Sequence, residues 1–283
     1  MTQPPGLHDG SATRAGATHA AGPARTGAAN GILWGARAHD WATIQEAQFR
    51  RAYEEVLDRL ALPRGASLCD AGCGAGMAAA MAAQRGLRVC GIDAAEALLA
   101  IARERVPEAD LRLGDLEEWP FADHGVDAVT GFNAFQYAAD PVAALAEARR
   151  VVRPGGQLVV MTWGSPEGME AAALVAALKP LLPTPPPGAP GPFALSDPAA
   201  LRALVSAAGW QPVELRDTDT AWHYADLATA LRGLASSGVA ARAIAHSGAE
   251  AVDAAHERAL APYRRDDGSY RIGARFRWIL AQA

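Results

Sequence analysis

The chain is almost without lysine: Lys179 is the only one among 26 basic residues. A phosphate-cradling loop of the Gly-Lys-Ser/Thr kind needs that side chain beside its glycines. None stands there, which argues against ATP and GTP. No block of basic residues exists to follow a phosphate backbone, and the net charge is −5 with acids and bases well mixed. Nucleic acid is therefore disfavoured as a partner. Cysteine is scarce. Cys69, Cys73 and Cys90 sit in or beside two apolar runs, as small buried hydrophobes do. No histidine lies near them at ligand spacing, so no metal is expected. An odd cysteine count without an extracellular signature points to a reducing, cytoplasmic setting. Long hydrophobic runs are missing too. No stretch reaches membrane-spanning length without a charge or a break, and the first residues lack the apolar segment of a secretory signal. Residues 1–30 have almost no large apolar side chains and read as a disordered tail.

What is present is a length of 283 residues, half of them hydrophobic, enough for one domain with a cap. The most informative stretch is Leu68-Cys69-Asp70-Ala71-Gly72-Cys73-Gly74-Ala75-Gly76. A short apolar run ends in an acid, three alternate glycines follow, and an alanine-rich helical stretch begins at Met77. This is a strand, a tight turn and a helix. The glycines let a ligand approach the backbone, and the free N–H groups of the helix start face the same crevice. A dinucleotide fingerprint would put Gly or Ala where Met77 stands, so a dehydrogenase is the weaker reading.

Later acids fall at about twenty-residue intervals. Arg88–Asp93 reads as a second strand ending in an acid, Leu111–Leu116 as a third closed by Gly-Asp-Leu, and Val126–Asn133 as a fourth. Helices follow at Ala94–Arg105 and Pro141–Val152, the latter with Asp140 and Pro141 as cap and first-turn pair. Gln157–Trp163 is a fifth strand, continuously apolar as buried parallel strands are. A βαβ ladder of this kind carries its ligand at the carboxyl ends of the strands.

The glycine motif led by Asp70, the acids at Asp93 and Asp115, and Arg149-Arg150-Val151-Val152-Arg153-Pro154-Gly155-Gly156 resemble class I S-adenosylmethionine (SAM) methyltransferases across residues 65–163. Within that family the chain is most similar to the small-molecule branch that includes ubiquinone- and menaquinone-type enzymes. The resemblance implies an α/β fold: a Rossmann-like, seven-stranded, mostly parallel sheet with helices on both faces and a helical cap. It implies SAM as cofactor. Asp70 would organise the loop and reach the methionine amino group through water, the Gly72 and Gly74 backbone would line the methionine portion, and Ala71 and Gly76 would be further cofactor-binding residues of the same loop. Asp93, with Ala94 beside it, would accept from the ribose hydroxyls. Asp115 would accept from the adenine amino group, with the Leu116 N–H at a ring nitrogen. Asn133 would meet the methionine end.

The organisation expected around this core is a helical cap at 31–62, a proline-rich loop and sixth strand within 164–223, a second helical cap at 224–266 and a last, antiparallel strand at 269–281. Pro183–Pro192 holds six prolines in ten residues and cannot join a ladder. Glu167–Leu182 reads as one helix, Trp210–Arg216 as strand six, and Tyr224–Ser236 and Val239–Leu260 as two helices.

Methylation of oxygen or nitrogen often needs a general base, and histidine suits neutral pH. His223 is preferred because it follows strand six, where the acceptor wall should begin; His39 and His246 rank after it, and His256 is passed over as mid-helix. Trp34, Phe135, Gln136 and Tyr137 are candidate acceptor contacts. The segment Asn133–Tyr137 lacks the Asn/Asp-Pro-Pro-Tyr/Phe motif, which speaks against DNA or protein-amide methylation. The expected activity is methyl transfer to a small, hydrophobic molecule, with oxygen favoured over nitrogen or carbon. The alternatives are the same fold catalysing cyclisation or decarboxylation, and a SAM-binding scaffold without turnover. The acceptor and the oligomeric state stay open.

Overall fold

In the computed structural model, residues 25–184 and 192–283 are described; the residues expected to form the tail, up to 24, and most of the proline loop lie outside them. Among the described residues, seven strands form one sheet in the order β3-β2-β1-β4-β5-β7-β6. They are β1 (Ser67–Ala71), β2 (Arg88–Asp93), β3 (Asp110–Leu113), β4 (Val126–Phe132), β5 (Val152–Trp163), β6 (Gln211–Tyr224) and β7 (Tyr270–Gln282). The first five run parallel, and β7 runs antiparallel to both β5 and β6. The expected mostly parallel, Rossmann-like α/β sheet is therefore present. Strand order reverses beside β1, between β2 on one side and β4 on the other, which opens a crevice at the carboxyl ends of the strands.

Local chemistry explains the helices that flank the sheet. α4 (Met77–Gln84) and α5 (Glu96–Arg105) follow the turns after β1 and β2. α6 (Pro141–Val151) starts where the Asp140 carboxylate accepts from the Val142 and Ala143 N–H groups. Two layers of core result. Leu68, Val159, Met161, Phe276 and Trp278 fill one face of the sheet; Val129, Leu145, Leu158, Val160 and Ile279 fill the other.

Four expectations are corrected. Folded structure begins earlier than residue 31: α1 (Gly27–Gly35) already covers part of what was read as tail. The path then continues through a short helix α2 (Ala38–Asp40), a π turn, a 3-10 turn and α3 (Arg50–Leu60). Between β5 and β6, regular helix is shorter than expected, α7 (Ala171–Ala177), and α8 (Pro198–Ala207) follows the proline segment. β6 does not stop at Arg216. Its Asp-Thr-Asp-Thr run looks like loop, yet Thr218, Thr220, Trp222 and Tyr224 alternate inward while Asp217 and Asp219 face Arg277 and Arg275 directly across the ladder. The second cap holds three helices rather than two: α9 (Leu227–Ala235), α10 (Gly238–Ser247) and α11 (Ala249–Leu260). Gly248, at φ 86°, breaks the longer expected helix in a conformation other residues resist. No helix of the described residues is long and apolar enough to cross a membrane.

Candidate active site

The turn after β1 is held from below by the next strand. The N–H groups of Gly72 and Cys73 both donate to the Ile92 carbonyl, at 2.7 and 3.1 Å. Gly72 takes φ 68°, and a Cβ there would fall 2.5 Å from that of Ala134. The loop is thereby pressed between the end of β2 and the segment after β4. At the end of β2, Asp93 accepts from Gly74 N–H through Oδ2 and from Ala95 N–H through Oδ1, each at 2.8 Å. Burial pushes its pKa up, and these backbone donors oppose the shift. Each oxygen has a second lone pair for a ligand hydroxyl. Asp115, beyond β3, accepts from the Gly27 N–H at 3.0 Å and the Glu117 N–H at 3.0 Å.

These groups line one cavity, together with Ala94, Leu116, Asn133, Tyr137 and the start of α1. Three expected cofactor contacts are not on its wall. Ala71 is fully buried in the core. Gly76 serves helix packing, since a Cβ there would lie 2.8 Å from that of Ala102. Asp70 lies outside the lining and is 2% exposed, accepting from Thr130 Oγ1 at 2.8 Å. Burial raises its pKa to about 7. It thus ties β1 to β4 under the loop.

Comparison with known proteins agrees with this geometry. Residues 69–160 match the methyltransferase domain family. A protein of Mycolicibacterium smegmatis described as an S-adenosylmethionine-dependent methyltransferase is 39% identical over 119 residues, 42% of this chain and 46% of its own length. A demethylmenaquinone methyltransferase of Renibacterium salmoninarum is 35% identical over 123 residues, 44% of this chain and 52% of its own. The chain thus spans about half the length of the curated relatives it matches. Among solved structures, BH2331 of Bacillus halodurans, described as a methyltransferase, superposes with a TM-score of 0.54 over 81% of this chain and 97% of that one, at 16% identity, and so shares the fold. The likeness of sequence is thus to a methyltransferase domain, and that of structure to its fold.

A second cavity adjoins the first and shares part of its wall. Trp34, Trp41, Phe49, Asn133 and Tyr137 line both. Asn133 sits at the junction with φ 53°, unusual for a side chain with a Cβ. Its Oδ1 accepts from Gln136 Nε2 at 3.2 Å, while its Nδ2 is buried with no partner among the described residues. Trp34 packs edge-on against Trp41 and Tyr137, at 5.0 and 5.4 Å between ring centres. Of the other expected acceptor contacts, Gln136 touches the site only through Asn133. Phe135 is a correction: it is fully buried in the core beneath Gly131, whose missing Cβ makes room for its ring.

The expected bases lie elsewhere. His223 is exposed on the outer side of β6, and its backbone N–H and carbonyl pair with the Gln48 side chain. His39 and His246 are exposed as well, and none of the three lines either cavity. The histidine that does is His256, on α11. Its signal was available: Val252, His256 and Leu260 recur every fourth residue and are all buried, so the histidine shares the inner stripe of its helix. Thr26, Gly27 and Asn30 were also missed, because small polar residues resemble tail; Thr26 Oγ1 and Asn30 Nδ2 both donate to the Tyr137 carbonyl at 2.9 Å.

Proposed function

We propose that the chain transfers a methyl group from SAM to a small apolar acceptor, with oxygen the preferred acceptor atom. The observation that carries this reading is the pair of cavities joined at Asn133: one with two carboxylates and a glycine turn, the other walled by aromatic and aliphatic side chains. In this reading SAM lies in the first cavity. Asp93 takes the ribose hydroxyls, Asp115 and Leu116 flank the adenine, and the Gly72–Gly74 backbone meets the methionine portion. Bound there, SAM supplies an electrophilic methyl on a sulfonium.

The chain's own part is alignment and exclusion of water. Trp34, Trp41 and Tyr137 line both cavities and so wall the junction between them. Asn133 offers its free amide N–H where the two ligands meet. Oxygen is preferred over nitrogen because no carboxylate among the described residues lines the second cavity to hold an amine's ammonium form. Incubation with methyl-labelled SAM and a panel of small phenols, alcohols and amines tests the proposal. S-adenosylhomocysteine and a labelled ether are expected. Tight SAM binding with no S-adenosylhomocysteine from any acceptor would overturn methyl transfer and leave the other chemistries of this fold.

A further inference from the structure

The second cavity is apolar except at a few points, and three of these, Asn133 Nδ2 among them, have no partner among the described residues. Trp222 Nε1 and His256 Nδ1 are both shut from solvent and unpaired among the described residues. Trp222 is 3% exposed and His256 2%. A buried polar atom left without a hydrogen bond destabilises the fold, and native proteins rarely keep one without a use. Here both stand in one cavity, with Asn133 Nδ2 a third.

Their chemistry differs in an informative way. Trp222 can only donate, so the group it meets is an acceptor such as an oxygen lone pair. Burial pushes the His256 pKa down to about 4, so its ring is neutral at physiological pH and offers one donor and one acceptor. The described residues lining the cavity include no Arg, Lys, Asp or Glu. Residues 185–191, next in sequence to the lining residue Pro192, have no ionisable side chain. A carboxylate, phosphate or ammonium group entering here would lose its water and find no counter-charge among the described residues. The wall itself favours flat rings: Trp163 and Trp222 lie 5.8 Å apart, and Phe49 is 5.9 Å from Trp222.

We propose that Trp222 and His256 orient the acceptor, and that the acceptor is a neutral aromatic molecule bearing hydrogen-bonding oxygen, phenolic in class rather than an acid or an amine. This rests on the reading of the two cavities as cofactor and acceptor sites. In it, Trp222 N–H holds one oxygen, His256 holds a hydroxyl or carbonyl, and the ring lies among the aromatic side chains with its reacting oxygen towards Asn133.

The test is calorimetric titration of the full chain with 1-naphthol, 1-naphthoate and naphthalene, each with and without saturating S-adenosylhomocysteine. Wild-type protein should bind 1-naphthol at least about tenfold more tightly than either other probe, a preference the size of one well-made hydrogen bond. Trp222→Phe and His256→Phe keep ring-like bulk and remove the polar atoms. Each should erase most of that preference over naphthalene while S-adenosylhomocysteine affinity stays at the wild-type value. Equal binding of naphthol and naphthoate, no binding of naphthol, or full retention of the preference in both variants would each overturn the proposal. Should a variant fail to fold, seen as lost S-adenosylhomocysteine binding, the wild-type comparison of the three probes decides alone. If wild-type protein binds no S-adenosylhomocysteine, the methyltransferase reading fails separately, and the probe titrations without it still judge the cavity.

Discussion

Two demands meet on the Asp93 carboxylate. It fixes the glycine turn through the Gly74 N–H and the following helix through the Ala95 N–H, and it faces the cavity in which a ribose would lie. Asp93→Ala therefore removes a ligand contact and a loop anchor together. SAM affinity should fall by about 2–3 kcal/mol or more, the range for charge-assisted hydrogen bonds; calorimetry showing unchanged affinity would remove Asp93 from the site. Asp70 makes the contrasting case. Its pKa is raised by burial from an ordinary value of 3.8 to about 7. Between those values the native state holds a proton that the unfolded chain has lost. Native stability therefore falls as pH rises through this window, by up to about 1.4 kcal/mol per pH unit from this group, and levels off above it. Asp70→Asn can still accept from Thr130 but cannot ionise. Urea unfolding from pH 4 to pH 8 should show the variant gaining on wild type up to about pH 7 and then running parallel. Profiles that run parallel throughout would refute the assignment. Local pattern named both acids because each closes an apolar strand, and only the family resemblance gave them different roles, Asp70 in the loop and Asp93 at the ribose. The difference lies in what stands beside each carboxylate, a cavity or Thr130 of the next strand, and strand neighbours are not written in local pattern.

At the scale of elements, α1 is where expectation and structure part most. Gly27, Gly31 and Gly35 recur every fourth residue, placing three bare backbone patches on one face. A Cβ on Gly31 would lie 2.1 Å from the Ala94 carbonyl oxygen, and one on Gly27 would lie 2.4 Å from Asp115 Oδ2. The helix can rest on the rim of the cofactor cavity only because those atoms are missing. Scarcity of large apolar residues, taken as a sign of disorder, is here the condition for close packing. No residue of α1 is fully buried, so its hold on the body is modest. Gly31→Ala should lift the helix from Ala94 and Asp115. Expected are a SAM affinity lower by about tenfold, equivalent to roughly 1.4 kcal/mol, faster protease cleavage near residue 31, and a global unfolding midpoint close to wild type. Wild-type affinity together with wild-type protease resistance would show that α1 does not form this wall. β6 teaches the same lesson from the other side: its threonines and aspartates disguised a strand whose register is set by Arg275 and Arg277 on β7, nearly sixty residues away.

The parallel half of the molecule was legible because strand, turn and helix each leave a local mark: an apolar run, an acid, a glycine, a cap. The caps were less so, since their buried polar groups find partners far along the chain. Glu46 is the clearest example. It is 3% exposed, between the π turn and α3, and accepts from the Arg105 guanidinium and, at 3.2 Å, from the Met77 N–H at the start of α4. Arg105, at the end of α5, also donates to the Ala75 carbonyl at 2.9 Å and the Ala42 carbonyl at 2.7 Å. One ion pair thus joins the first cap to the loop that cradles the cofactor. Burial pushes the Glu46 pKa up, and Arg105 is the main opposing influence. Arg105→Met leaves a buried carboxylate without its cation, and stability should drop by about 3–5 kcal/mol at neutral pH. The loss should shrink as pH falls and Glu46 takes up a proton. Adding Glu46→Gln to that variant removes the charge altogether and should recover part of the stability, most clearly at high pH. The cap would then be joined to the core by neutral hydrogen bonds, and urea unfolding of the single and double variants across pH 5–8 measures the difference. A double variant no more stable than Arg105→Met at pH 8 would mean that the buried charge is not what Arg105 compensates, and that the carbonyls of Ala42 and Ala75 are its principal partners.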